Sequence, residues 1–251
     1  MAFKIEHRGS ITILTINRPD RLNAMNSEVR QSLRQALEDF EVSEARVAIL
    51  TGAGEKAFCA GVDLKEMAQL SIGVPPRDFI PILGDSVHVS KPVIAAVNGL
   101  AYAGGWLLAQ MCDLCVASAN ARFAITEGRV GRGVPWVIPL LDMIPQRLAL
   151  ELLMTAVPIT AERAYELGFV NHVTPEGGAL ARAIELAESI VECAPLSVKA
   201  SKALVGIASE HPRSAALDLA YCIFEPVYQS RDALEGPRAF AEKRKPRWSG
   251  Y

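Results

Sequence analysis

Two short apolar runs constrain this chain most. Pro92 to Val97 (PVIAAV) and Leu114 to Ala117 (LCVA) are each bounded by turn-forming residues. Runs this short and this apolar read as strands buried on both faces, which requires a sheet covered by helices. Between them Gly99, Gly104 and Gly105 break the chain around the segment WLLAQM, and DLCVAS then leads through FAIT to the carboxylate Glu127. Strand, glycine turn, helix start and strand form a scaffold on which an oxyanion hole can be built.

The flanking sequence extends the pattern. Phe3 to Arg8 and Ile11 to Ile16 read as strands around the turn Gly9-Ser10. Asn26 or Ser27 caps a helix whose Val29, Leu33, Leu37 and Phe40 fall on one face. Val47 to Leu50 is a further buried strand. Ser71 to Pro81 holds three prolines and little periodicity, so it is a loop, either a substrate-facing lid or a plain surface connection. Leu148, Leu152 and Leu153 predict a helix beyond Pro145. Thr160 caps another that ends at Gly168, and Phe169 to Val173 reads as a last strand. From Ala179 onward the chain reads as helical, with breaks at Pro195, Pro212, Pro226 and Pro237. The class is α/β: ββα-like units over 1–194, then a helical region over 195–251.

Composition excludes several function classes. Hydrophobic residues make up 50% and charged residues 22% of 251, enough for a large core. A formal net charge of -2 gives no electrostatic reason to bind nucleic acid or an acidic membrane. Five scattered cysteines fit a reducing compartment better than a disulfide framework. The start MAFKIEHRGS lacks a signal-peptide pattern, and the most apolar stretch, Val134 to Pro145, is broken by prolines and too short to span a bilayer. A cytoplasmic protein is expected.

Ala60-Gly61-Val62 and Ala103-Gly104-Gly105 are places where backbone N–H groups can be left free, the second at a helix start. Two such donors converging on one carbonyl oxygen stabilise an enolate or a tetrahedral oxyanion. Ordinary turns are the alternative. Glu127 after an apolar run is either a half-buried acid/base or a solvated strand-end carboxylate, and Arg129 and Arg132 are near enough in sequence to pair with it. Cys112-x-x-Cys115 has no second ligand pair and reads as buried thiols on a strand, so no metal site is expected. GxGxxG and GxSxG are both absent. The basic run KRKPR at 243–247 solubilises the tail or meets phosphates.

LTINRPDRLNAMN, KAFCAGVDLKEM, KPVIAAVNGLAYAGGWLLAQMCDLCVAS, ITAERAYELGFVNHV and AFAEKRKPRW together resemble the enoyl-CoA hydratase/isomerase (crotonase) family over nearly the whole chain. The resemblance implies a crotonase-like spiral of ββα turns whose C-terminal helices build trimers, often paired into hexamers. It implies a coenzyme A thioester as substrate and no separate cofactor. By motif position, the N–H groups of Val62 and Gly104 are the oxyanion donors. Lys56, Ala57, Ala60 and Gly61 line the path of the adenine and pantetheine, and Arg21 and Lys243 approach the CoA phosphates.

The departure from the family is as informative. Its hydratases hold water with two glutamates, and the first of these positions is Leu107 here; the second is Glu127. RVGRGVPW supplies no Asp where some relatives carry a nucleophile. One carboxylate beside an oxyanion hole favours migration of a double bond from 3-enoyl to 2-enoyl. Hydration or dehydration by a single glutamate and a catalytically weak acyl-CoA-binding subunit are the alternatives. Tyr102, Arg132 and Trp136 are expected to shape the acyl pocket, with Trp106 and Leu107 as an apolar wall.

Overall fold

A computed structural model describes all 251 residues. Strands β1 (Phe3–Arg8) and β2 (Ile11–Ile16) form the expected hairpin, antiparallel from Phe3↔Ile16 to Arg8↔Ile11. Asn26 caps α1 (Ser27–Val42) by accepting from the Val29 amide at 3.1 Å, and the apolar stripe of that helix is buried. Three strand pairs follow. β3 (Val47–Gly52) and β4 (Ala57–Cys59) lead to α2 (Leu64–Gln69). β5 (Val93–Val97) and β6 (Leu100–Tyr102) lead to α3 (Gly104–Gln110). β7 (Leu114–Ser118) and β8 (Arg122–Ala124) lead to 3-10 turns at Glu127–Val130 and Pro135–Val137. Then come α4 (Leu140–Met143), α5 (Gln146–Thr155), β9 (Ile159–Thr160), α6 (Ala161–Glu166) and β10 (His172–Thr174). Helices α7 (Ala179–Val191), α8 (Pro195–Glu210), α9 (Arg213–Gln229) and α10 (Arg231–Ala241) complete the chain.

Each pair gives one strand to each of two sheets. The larger sheet runs β1-β2-β3-β5-β7-β10, parallel from β2 onward, with Ile49 beside Ile94 and Ala96 beside Val116. The smaller runs β4-β6-β8-β9. This is the spiral of ββα turns. Alternation along the strands separates two cores. Leu50, Ala95 and Ala117 face the main core with α1 and α3, while Ile49, Ile94 and Val116 face α7. Ala179, Ala183 and Ala187 recur every four residues on α7, so the helix lies close against the sheet. Each fully buried Leu, Ile or Phe here contributes roughly 1.5–3 kcal/mol.

Several expectations need correction. The last strand begins at His172 rather than Phe169, because Phe169 and Val170 instead donate to the Ala164 carbonyl and close the end of α6. Pro226 and Pro237 lie inside α9 and α10 and break neither. Of the pair Cys112 and Cys115, only Cys115 is on a strand; Cys112 lies just past α3, its thiol on the Leu108 carbonyl. No helix is long and apolar enough to cross a membrane.

Candidate active site

The first loop leaves the buried strand β4 at Ala60-Gly61-Val62. Gly61 has φ +94°, a conformation that side chains disfavour. Met25 fixes this loop: its amide donates to the Gly61 carbonyl at 2.8 Å, and the Asp63 amide donates to its carbonyl at 2.9 Å. Both bonds lie on one side of the segment, so the Val62 N–H is turned the other way, and no protein group accepts from it. Two ion pairs brace the loop from behind, Arg18–Asp63 at 3.0 Å and Arg30–Glu66 at 2.9 Å.

The second loop ends β6 and starts α3. Ala103 has φ +52° and ψ −124°, and Gly104 is the first helical residue, where an amide has no partner within the helix. The two loops touch: a Cβ on Gly61 would lie 3.2 Å from the Gly104 nitrogen. Gly105 seats α3 on β4, since a Cβ there would lie 1.9 Å from the Cys59 carbonyl oxygen.

Val62 and Gly104 both line one cavity of about 1020 Å³. Of the other residues expected at the site, Ala60, Leu107, Glu127, Arg132 and Trp136 line it too. Gly61 is buried between the loops. Ala57 is buried in β4, its carbonyl held by Asn23 and Asn98. Arg21, Lys56 and Lys243 are exposed and outside the lining. In the rest of the KRKPR run, Arg244 grips Glu235 with two bonds and Lys245 pairs with Glu192.

Glu127 opens the 3-10 turn after β8, and Gly131 at φ +66° brings the chain back so that the Arg132 amide donates to the Glu127 carbonyl at 3.0 Å. Its Oε2 is buried without a hydrogen-bond partner. Burial pushes the carboxyl up to about 7, outweighing the backbone at Glu127, the Trp136 side chain and the backbone at Thr126, which favour the charged form. Neither arginine pairs with it. Arg129 reaches the Thr155 carbonyl at 3.5 Å. Arg132 donates to the carbonyls of Ile72 and Gly73 at 2.8 and 2.6 Å and so fastens the 71–81 loop, whose residues 73–77 form part of the cavity wall.

Leu107 is an apolar part of the cavity lining. Trp106 is not: it points into the main core, its ring 5.6 Å from Phe123 and 5.4 Å from Phe169. Tyr102 also stays outside the lining. Phe79, Ile80, Leu64 and Met67 line the cavity without having been singled out in the sequence. For Leu64 and Met67 the signal was Asp63 followed by LKEM, a capped helix immediately after the first loop. No cluster of three or more His, Cys, Asp or Glu is placed to hold a metal ion.

The family model for enoyl-CoA hydratase/isomerase matches residues 6–251. The chain belongs to the enoyl-CoA hydratase/isomerase family. It is 38% identical to carnitinyl-CoA dehydratase of Salmonella typhi, over 98% of this chain and 97% of that protein. An enoyl-CoA hydratase of Mycobacterium tuberculosis H37Rv superposes with a TM-score of 0.91 at 39% identity, covering 100% of this chain and 99% of that one. One from Mycobacterium marinum gives 0.91 at 38%, with the same coverage. This member of the family is therefore an acyl-CoA enzyme of the hydratase/isomerase type with the crotonase fold.

Proposed function

We propose that the protein moves the double bond of a 3-enoyl-CoA to the 2-position with Glu127 as sole acid/base. The thioester oxygen accepts from the amides of Val62 and Gly104. Glu127 removes a proton from C2, and the electron pair of that bond passes to the thioester, giving a dienolate held by the two amides. The same carboxylic acid returns the proton to C4, and the double bond now joins C2 and C3. The carrying observation is one half-buried carboxylate, its Oε2 enclosed without a hydrogen-bond partner, in the cavity that both amides line, with Leu107 at the other glutamate position. A carboxyl of pKa about 7 suits both halves of the shuttle.

Lys56, Ala57, Ala60 and Gly61 lie along the proposed CoA path, with Arg21 and Lys243 near the phosphates; the exposure of Arg21, Lys56 and Lys243 and the place of Ala60 in the cavity support this. Arg132, Leu107 and Trp136 bound the acyl group. The region 195–251 assembles the protein into a trimer or hexamer, supported by Val205, Leu217, Tyr221, Tyr228 and Phe240, all exposed. The setting is the cytoplasm.

A second reading is dehydration or hydration by Glu127 alone. The Salmonella relatives named carnitinyl-CoA dehydratase favour it. Paired assays separate the readings. Wild type and Glu127→Gln are given a 3-enoyl-CoA and, separately, a 2-enoyl-CoA. Gain of conjugated-thioester absorbance with the first, lost in the variant, supports isomerisation. Loss of absorbance with the second as the faster reaction supports hydration. Binding of both without turnover leaves an acyl-CoA-binding subunit.

A further inference from the structure

Gln110 is the one polar side chain on α3, otherwise Gly, Trp, Leu and Ala, and it is only 4% exposed. Its Nε2 donates to the Trp136 carbonyl at 2.9 Å, and its Oε1 is buried with no partner. An amide left half satisfied in an apolar core is unfavourable. An apolar residue of that size would serve packing better, so the bond to Trp136 is what the amide supplies.

That bond reaches the site. Trp136 lies in the short turn Pro135–Val137, in which Pro135 is exposed and Val137 buried, and the following Ile138 is exposed. Trp136 lines the cavity together with Glu127, and its side chain favours the charged form of that carboxylate. Gln110 also stands three residues after Leu107, so one turn of α3 both removes a carboxylate from the cavity and grips the turn carrying the indole.

We propose that Gln110 is a positioning residue: its bond to the Trp136 carbonyl holds the indole against Glu127 in the reacting geometry. The inference rests on the reading of Glu127 as the base. A freed indole no longer favours the charged carboxylate, so the proton is held more tightly and the base form appears at higher pH.

The test compares wild type, Gln110→Met, Gln110→Leu, Trp136→Phe and the Gln110→Met/Trp136→Phe double variant on a 3-enoyl-CoA across pH. Gln110→Met is expected to lower kcat roughly 10-fold or more, with KM within about twofold. The midpoint of its kcat/KM profile moves upward. In the Trp136→Phe background it changes neither quantity further. An unmoved midpoint in folded Gln110→Met or Gln110→Leu, or full additivity with Trp136→Phe, overturns the proposal. Glu127→Gln run alongside keeps the two claims apart. Undiminished activity there removes the base assignment, whereas an inactive Glu127→Gln with an unmoved Gln110→Met midpoint removes only the role of Gln110.

Discussion

At Glu127 the proposed chemistry and stability pull in opposite directions. Its carboxyl sits near 7 in the folded protein against an ordinary value of 4.5, and burial is the cause. Below about pH 4.5 the group is neutral in both states and contributes nothing. As pH rises, the unfolded chain ionises first while the folded site keeps its proton, so stability falls. Above about pH 7 the difference is complete, ~3 kcal/mol at most. Glu127→Gln is therefore expected to be more stable than wild type at pH 8 by up to ~3 kcal/mol and equal to it at pH 4. Denaturant unfolding at the two pH values measures this; an equal difference at both would mean that the carboxyl is not shifted by burial.

Among the elements, the junction of β4 and α3 sets the distance between the two amides. Gly105 makes it possible. Gly105→Ala forces a Cβ to within 1.9 Å of a backbone oxygen, with no flexible side chain to give way. We expect a loss of roughly 3 kcal/mol or more, with displacement of Val62 relative to Gly104. Gly73→Ala is the control, since nothing lies within 4 Å of its Cβ position and its backbone is not left-handed. Thermal unfolding of the pair checks the contrast, and equal melting temperatures would show that the helix can back away from the strand.

For the whole molecule, the long repetitive signals were legible in the sequence. The α1 stripe, the buried runs of β5 and β7, the Asn26 and Thr160 caps and the glycine loops all stand where local chemistry puts them. What was hidden depends on tertiary context. Strands β4, β6 and β8 have three residues each, too few for a period, and exist through their pairing. Whether Trp106 or Leu107 faces the cavity is a matter of helix phase, which adjacent apolar residues do not reveal. The wall formed by residues 73–77 depends on Arg132, about sixty residues away in the chain, gripping Ile72 and Gly73. Pro226 and Pro237 sit in helices on the outer surface, where solvent reaches the turns they disturb. The apolar residues left exposed on α8 to α10 carry the assembly proposal. Sedimentation at micromolar concentration is expected to give three or six times the 27.1 kDa chain, and a stable monomer would contradict it.

The most direct measurement is the rate of 3-enoyl-CoA isomerisation by wild type and Glu127→Gln across pH. The account predicts a wild-type kcat/KM that rises with pH through a midpoint near 7 as the base form appears, and a loss of about 10²–10⁴ in the variant at every pH. A variant that isomerises as fast as wild type, or a wild type that hydrates 2-enoyl-CoA while leaving 3-enoyl-CoA untouched, would contradict it.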